Sequence, residues 1–267
     1  MNIGFIGGGN MGSAIIGGIV SSGIYKANEI SVMDLFKESV EKLVSKYGIN
    51  DGISNKNIAE KSDILFLSVK PNVYADVISE IKDCINKDAI IVSIAAGKSL
   101  SDVAELFQSN LKIVRVMPNT PALVGEGMAA ICGNENTTKA DVDKIVEIFN
   151  CFGEAEVVPE KMMDIVTAVS GSSPAFIYMI IEAMADAAVL GGMPRKQAYK
   201  FASQTVLGSA KMVLETGMHP GELKDMVCSP AGTTIEAVAE LEKRGLRSAI
   251  IEAIRVCEQK SKDMGKK

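Results

Sequence analysis

The amino-acid sequence predicts an α/β protein in two parts: a Rossmann-like parallel-sheet domain over residues 1–160 and an all-helical domain over residues 161–267. Three observations predict it. The chain opens on an apolar run, Ile3 to Ile6, that turns through Gly7, Gly9 and Gly12 into a helix-like stretch. Short β-branched runs then alternate with amphipathic stretches as far as Val116, the pattern of βαβ units around a parallel sheet. From Met162 onward such runs become scarce and nearly everything reads as helix.

The opening turn carries the phosphate-binding logic of dinucleotide folds. Gly7 supplies the tight turn, Gly9 lets backbone approach a pyrophosphate, and Gly12 lets the helix pack closely on its strand. The helix that follows, Ser13 to Val20, is apolar at Ala14, Ile15, Ile16 and Ile19. Its first turn offers unpaired N–H groups to phosphate, which makes Gly7, Gly8, Gly9, Asn10, Met11 and Gly12 candidate cofactor-binding residues. With 24 glycines among 267 residues the pattern alone is weak, and a glycine-rich turn of some other α/β domain is its alternative. Its setting raises it: a second strand, Glu29 to Asp34, follows, and Asp34 has the spacing of a carboxylate that binds the adenosine ribose 2′-hydroxyl. An acid at a strand end is otherwise a solvated one.

Helix Lys37 to Tyr47, strand Ile64 to Ser68, helix Tyr74 to Ile85, strand Ala89 to Ile94, helix Leu100 to Phe107 and strand Lys112 to Val116 continue the alternation. Ligands of a parallel sheet sit at the carboxyl ends of its strands, so three strand ends are singled out. Ser68, Val69, Lys70 and Pro71 follow one strand, with Lys70 either facing phosphate or nicotinamide or simply solvated. Ala95, Ala96 and Gly97 follow the next, small enough for a flat ring to approach or small for packing alone. Asn119 and Thr120, between Pro118 and Pro121, are expected to be held rigidly towards the crevice. Strands Met128 to Cys132 and Glu156 to Val158 around helix Lys139 to Phe152 complete the domain.

In the helical part, Pro174 is expected to start a long segment, Ala175 to Leu190, that is apolar nearly all round and therefore a buried core helix or a subunit interface. Gly191 and Gly192 close it, and Pro194 opens the next, Arg195 to Glu215. His219, Pro220 and Gly221 read as a turn. Helices Ile235 to Lys243 and Leu246 to about Lys262 finish the chain. Before them, Ala231, Gly232, Thr233 and Thr234 lie at a helix N-terminus, where backbone N–H groups can hold a carboxylate while a threonine hydroxyl donates to a substrate. Simple N-capping by Thr233 is the equal alternative.

Composition narrows the function. A net charge of −5 and a pI near 5.2, with no basic cluster, argue against a nucleic-acid partner. No apolar stretch is counted at the roughly 20 residues a bilayer demands, and no basic region precedes the first apolar run, so the expectation is a cytoplasmic protein with no membrane partner. The five cysteines are scattered, without a Cys-x-x-Cys pair, which points to neither a disulfide framework nor zinc. One histidine, His219, leaves no multi-histidine metal site.

Seven segments together resemble the pyrroline-5-carboxylate reductase family over essentially the full length. They are Ile3 to Gly12, Ser68 to Pro71, Val92 to Gly97, Met117 to Ala122, Val169 to Ala175, His219 to Gly221 with Leu223 to Asp225, and the signature-like loop Ser229 to Thr234. The resemblance implies reduction of 1-pyrroline-5-carboxylate to L-proline with hydride from NADPH or NADH, and an active site between the two domains. It also implies that intertwined C-terminal helices build a homodimer, often assembled into a decamer. The substrate carboxylate would be held by Ala231, Gly232, Thr233 and Thr234, with Thr234 the catalytic partner of the ring nitrogen. The family usually has Pro-Gly-Gly where this chain has Pro230-Ala231-Gly232; if positive φ is required at the middle residue, alanine forces the loop to shift slightly.

Cofactor choice is left between the two nicotinamides. The family commonly favours NADPH, whereas Asp34 would repel a 2′-phosphate; Lys37 or Asn55, by contacting ribose or phosphate, would compensate. A β-hydroxyacid dehydrogenase would need a catalytic lysine on the helix Ala175 to Leu190, which has none. A dinucleotide sensor would bind without turnover, and a pyridoxal-phosphate-binding protein would need a barrel that this pattern does not support.

Overall fold

In the computed structural model, which describes residues 1–265, the first apolar run is β1 (Ile3–Ile6), buried at all four positions as a central strand covered on both faces must be. There follow α1 (Asn10–Ser22), β2 (Ile30–Met33), α2 (Lys37–Tyr47), β3 (Asn50–Asp51), α3 (Asn55–Lys61), β4 (Ile64–Leu67), α4 (Tyr74–Ile81), β5 (Ile90–Ser93), α5 (Leu100–Phe107), β6 (Lys112–Met117), β7 (Gly127–Gly133), α6 (Lys139–Asn150), β8 (Gly153–Val157) and the short α7 (Met163–Val166). The remaining helices are α8 (Ser173–Leu190), α9 (Arg195–Thr216), α10 (Pro220–Val227), α11 (Thr233–Lys243) and α12 (Leu246–Met264). The chain divides into two compact units, one of Met1–Ser172 with the chain from Cys257 onward, the other Ser173–Val256. The last turns of α12 therefore belong with the sheet.

The sheet has the order β3-β2-β1-β4-β5-β6-β7-β8. It is parallel from β3 through β6, the stretch whose alternation predicts a parallel sheet, while β6 and β7 pair antiparallel, so the eight-stranded sheet as a whole is mixed. The reason is length: residues 118–126 are too few for a parallel crossover, which takes about a dozen or more. Side chains alternate between two cores. Phe5, Phe66 and Val92 lie in one, with Phe149 and Phe152; Ile6, Leu65, Leu67 and Ile91 lie in the other, with Tyr74 and Ile78. Phe5 and Phe66, register partners on β1 and β4, stack with ring centroids 4.5 Å apart. Burying each such ring contributes roughly 1.5–3 kcal/mol.

Residues 48–63, polar and without period, were given no element by the sequence, yet they form β3 and α3, the latter N-capped by Ser54, which accepts from Asn57 N–H. The expected turn at His219 is instead the start of α10: His219 is the N-cap, its Nδ1 accepting from Gly221 N–H at 3.0 Å, and Pro220 is the first helical residue. Pro174 does not start its helix either. Residues Glu160–Leu190 run on through successive helical segments, and this run is long and apolar enough, by length and composition alone, to cross a membrane. That corrects the count made from Ala175. A π-helical turn, Thr167–Ser172, precedes α8 and gives Pro174 its room: proline has no N–H for the carbonyl four residues back, at Ser170, and its ring would crowd that carbonyl in a regular helix.

The two units differ in what they bury. The second unit has Ala185, Ala198 and Ala202 as its buried apolar residues, while Tyr178, Met179, Phe201, Leu207, Leu214 and Met226 are exposed.

Candidate functional site

The strand registers Ile6 with Met33, Ile6 with Leu67, and Leu67 with Ser93 bring the turns after β1, β2, β4 and β5 to one edge of the sheet. That edge is the place for a dinucleotide. Gly7 there adopts φ +107° and donates its N–H to Met33 O at 2.8 Å. A Cβ at Gly12 would lie 2.3 Å from Gly7 O, so these two glycines are demanded by the protein's own packing. Gly9 is different. It is exposed, and a Cβ there would meet nothing within 4 Å. Gly9 is the N-cap of α1 and offers no side-chain cap, whereas α3, α5 and α6 are capped by Ser54, Ser99 and Thr138. The first N–H groups of α1 thus open on free space, and this cradle fits a pyrophosphate.

Asp34 is half-buried; Oδ2 accepts from Gly8 N–H at 2.7 Å and Oδ1 from Phe36 N–H at 2.9 Å. Beside it Leu35 and Phe36 are 87% and 74% exposed. These two were not singled out from the sequence, although bulky apolar residues directly after a strand-ending acid are a visible signal. Asn55 is the first residue of α3 and donates to Glu80 Oε2 at 2.8 Å. Asn10 is exposed, and Met11 is packed partly against the core.

Ser68 ties the edge together: its Oγ donates to Gly7 O at 2.9 Å. Val69 is partly buried against the apolar core, Lys70 is exposed, and Pro71 opens a short 3-10 turn. Ala95 is buried and Ala96 partly so. Gly97 stands at φ +71°, where a Cβ would come within 2.9 Å of Met264 Cβ; its smallness serves packing against α12. Asn119 points inward rather than to the crevice. It is 8% exposed, its Oδ1 accepts from Met128 N–H at 2.9 Å and its Nδ2 donates to Ser170 O at 3.1 Å, the carbonyl that Pro174 cannot serve. Thr120 is exposed at the start of the following 3-10 turn. Beneath the edge, Tyr74 donates to Leu67 O at 2.7 Å, and burial pushes its phenol up to about 12.

In the second unit, the loop before α11 turns through Ser229 O accepting from Gly232 N–H at 3.1 Å. Ala231 takes φ +56°, so the alanine adopts the left-handed conformation itself instead of shifting the loop. Gly232 is the N-cap, without a side-chain cap, and Thr233 is the first helical residue; the capping role for Thr233 is not realised. Ala231 and Thr233 are exposed and Thr234 half-buried. The first N–H groups of α11 are thus open to an anion, with the Thr234 hydroxyl in the same turn. Among the described residues no cluster of three or more His, Cys, Asp or Glu could hold a metal.

A family model described as pyrroline-5-carboxylate reductase dimerisation matches residues 160–264, and one described as NADP oxidoreductase, coenzyme F420-dependent, matches residues 2–97. The pyrroline-5-carboxylate reductase of Escherichia coli strain K12 is 54% identical over 99% of this chain and 98% of its own. That of Methanosarcina acetivorans is 48% identical, again over 99% and 98%. Among solved structures, the pyrroline carboxylate reductase of Plasmodium falciparum with NADP bound superposes with a TM-score of 0.91 at 35% identity, covering 99% of this chain and 98% of that one.

Proposed function

The chain belongs to the pyrroline-5-carboxylate reductase family, and from that premise we propose which of its residues carry the reaction. It is an NAD(P)H-dependent oxidoreductase that reduces 1-pyrroline-5-carboxylate to L-proline. The observation that carries the residue assignment is the pair of helices that begin on glycine, α1 at Gly9 and α11 at Gly232. The reaction has two anions to hold, a pyrophosphate and a substrate carboxylate, and each open N-terminus suits one. Gly7 to Gly12 and Asp34 take the cofactor, with Ser68 to Pro71 and Ala95 to Gly97 framing it. Asn119 acts by holding the edge in shape. Ala231 to Thr234 take the carboxylate.

When bound, the reduced nicotinamide supplies the hydride. The chain's own work is to orient the imine, exclude water and manage one proton. A cyclic imine protonates readily and the iminium accepts hydride far better, so no strong acid is needed. Thr234 is neutral; it hydrogen-bonds the ring nitrogen and relays its proton through water. Comparing 1-pyrroline-5-carboxylate with 1-pyrroline, which lacks the carboxylate, tests the loop assignment. Losing charge-assisted bonds should lower kcat/KM by about a hundredfold. Equal values would remove the α11 N-terminus from substrate binding.

The exposed apolar side chains of the second unit and the run Glu160–Leu190 are assigned to contact with a second copy of the chain rather than to a bilayer. The family model for dimerisation, which spans both, supports this. A cytoplasmic location follows from the same reading, as a homodimer acting on small polar metabolites.

A further inference from the structure

We infer that Asp34 selects the cofactor, and that this chain uses NADH in preference to NADPH, an inference that rests on the reductase reading above. The Plasmodium falciparum relative was solved with NADP bound, and the family model matching residues 2–97 is described as an NADP oxidoreductase; the geometry of this chain points the other way. Asp34 follows β2 directly, and the register of Ile6 with Met33 sets it beside the glycine turn. Both carboxylate oxygens are held, Oδ2 by Gly8 N–H at 2.7 Å and Oδ1 by Phe36 N–H at 2.9 Å. The two donors come from different segments, so the group cannot swing away without losing a bond in each.

A carboxylate is an acceptor with about four lone-pair sites. Two are taken by the backbone, and those left can accept from ribose hydroxyls. A 2′-phosphate offers the reverse. With a second pKa of about 6 it is mostly a dianion near neutral pH, with oxygens that accept and nothing to donate. It would replace a hydrogen bond by repulsion against a fixed negative group. The usual remedies for that repulsion are spent or loose. The backbone N–H of Phe36, the N-cap of α2, which a phosphate at that helix N-terminus would seek, already serves Asp34. Lys37, the first residue of α2, is exposed on a flexible stem, so bringing it onto a phosphate costs side-chain entropy and yields a screened interaction.

Titration of the intact enzyme with NADH and with NADPH, followed by nicotinamide fluorescence, reads the selection without turnover. NADH should bind at least about tenfold tighter in low salt, the gap narrowing as salt rises. Asp34→Ser, which removes the charge and keeps a small acceptor, should move the ratio of dissociation constants at least about tenfold towards NADPH, and Asp34→Asn should move it in the same direction. NADPH binding tighter in the unaltered enzyme, or a ratio unmoved by both substitutions, overturns the inference. Running 1-pyrroline-5-carboxylate reduction alongside separates the two readings. An NADH preference in binding with no oxidation of either cofactor would overturn the reductase reading and leave Asp34 as the selector.

Discussion

α1 and α11 both begin on a glycine N-cap without a side-chain cap, but the turns that feed them are built differently. Ahead of α1 the positive φ falls on Gly7, at +107°, where glycine bears it at no steric cost. Gly7 and Gly8 there are buried, and the turn is tied to the ends of β2 and β4 by Met33 O, Asp34 and Ser68. Ahead of α11 the positive φ falls on Ala231, at +56°, which costs an L-residue about 1–2 kcal/mol. That turn is exposed, is closed by one backbone bond from Gly232 to Ser229, and stands in a unit whose buried apolar residues are three alanines. The turn proposed to cradle the cofactor is thus organised by the sheet's own core, whereas the loop proposed to hold the substrate carries local strain and belongs to a unit that leaves large apolar side chains exposed.

The largest effect should come from the reacting turn itself. Thr234→Ala is expected to lower turnover by roughly tenfold to ten-thousandfold, the span for a proton-transfer group, with thermal stability little changed; unaltered turnover would strip Thr234 of its role. The cofactor side can be probed by two glycines that differ in what surrounds them. Gly12→Ala puts a methyl 2.3 Å from Gly7 O, and should cost about 1–3 kcal/mol of stability as well as cofactor affinity. Gly9→Ala puts it in open space, so stability should stay within about 0.5 kcal/mol while NAD(P)H binding weakens. Calorimetry and cofactor titration on both variants would break the comparison if Gly9→Ala proved silent in binding.

Asn119→Ala removes the partners of Met128 N–H and Ser170 O. Leaving two partly buried polar groups unmet should cost about 1–3 kcal/mol in denaturant unfolding, and a loss below about 0.5 kcal/mol would show that Asn119 is not the clamp. The smallest effect sharpens the contrast between the turns: Ala231→Gly should relieve the left-handed strain and stabilise the enzyme by about 1 kcal/mol or less. Destabilisation there would mean that the alanine methyl makes a contact worth more than its strain.

Much of the sheet unit was legible because its signals are local and redundant. The period-3.6 pattern placed α2 and α5 at their observed ends, Lys37–Tyr47 and Leu100–Phe107. What escaped depends on partners distant in sequence. β3 is two residues long and exists because Ser31 and Val32 offer it a ladder. The antiparallel turn of β7 follows from a connection length whose strand ends were placed a residue off. Asn119 read as a residue aimed at the crevice, since nothing in residues 117–122 announces that its amide is needed by Ser170 fifty-one positions on. The same blindness hid the π-helical turn, which is forced by Pro174 acting on residues before it. At the proposed sites, the glycine turn and Asp34 stood out as candidates because dinucleotide binding imposes a spacing, while the backbone bonds that pin the Asp34 carboxylate were not legible.

The most direct test supplies 1-pyrroline-5-carboxylate and reduced nicotinamide to the purified enzyme, following cofactor absorbance and L-proline together. Oxidation is expected, with one L-proline formed per cofactor consumed. Cofactor that binds but is not oxidised, with no L-proline formed, would contradict the reductase reading.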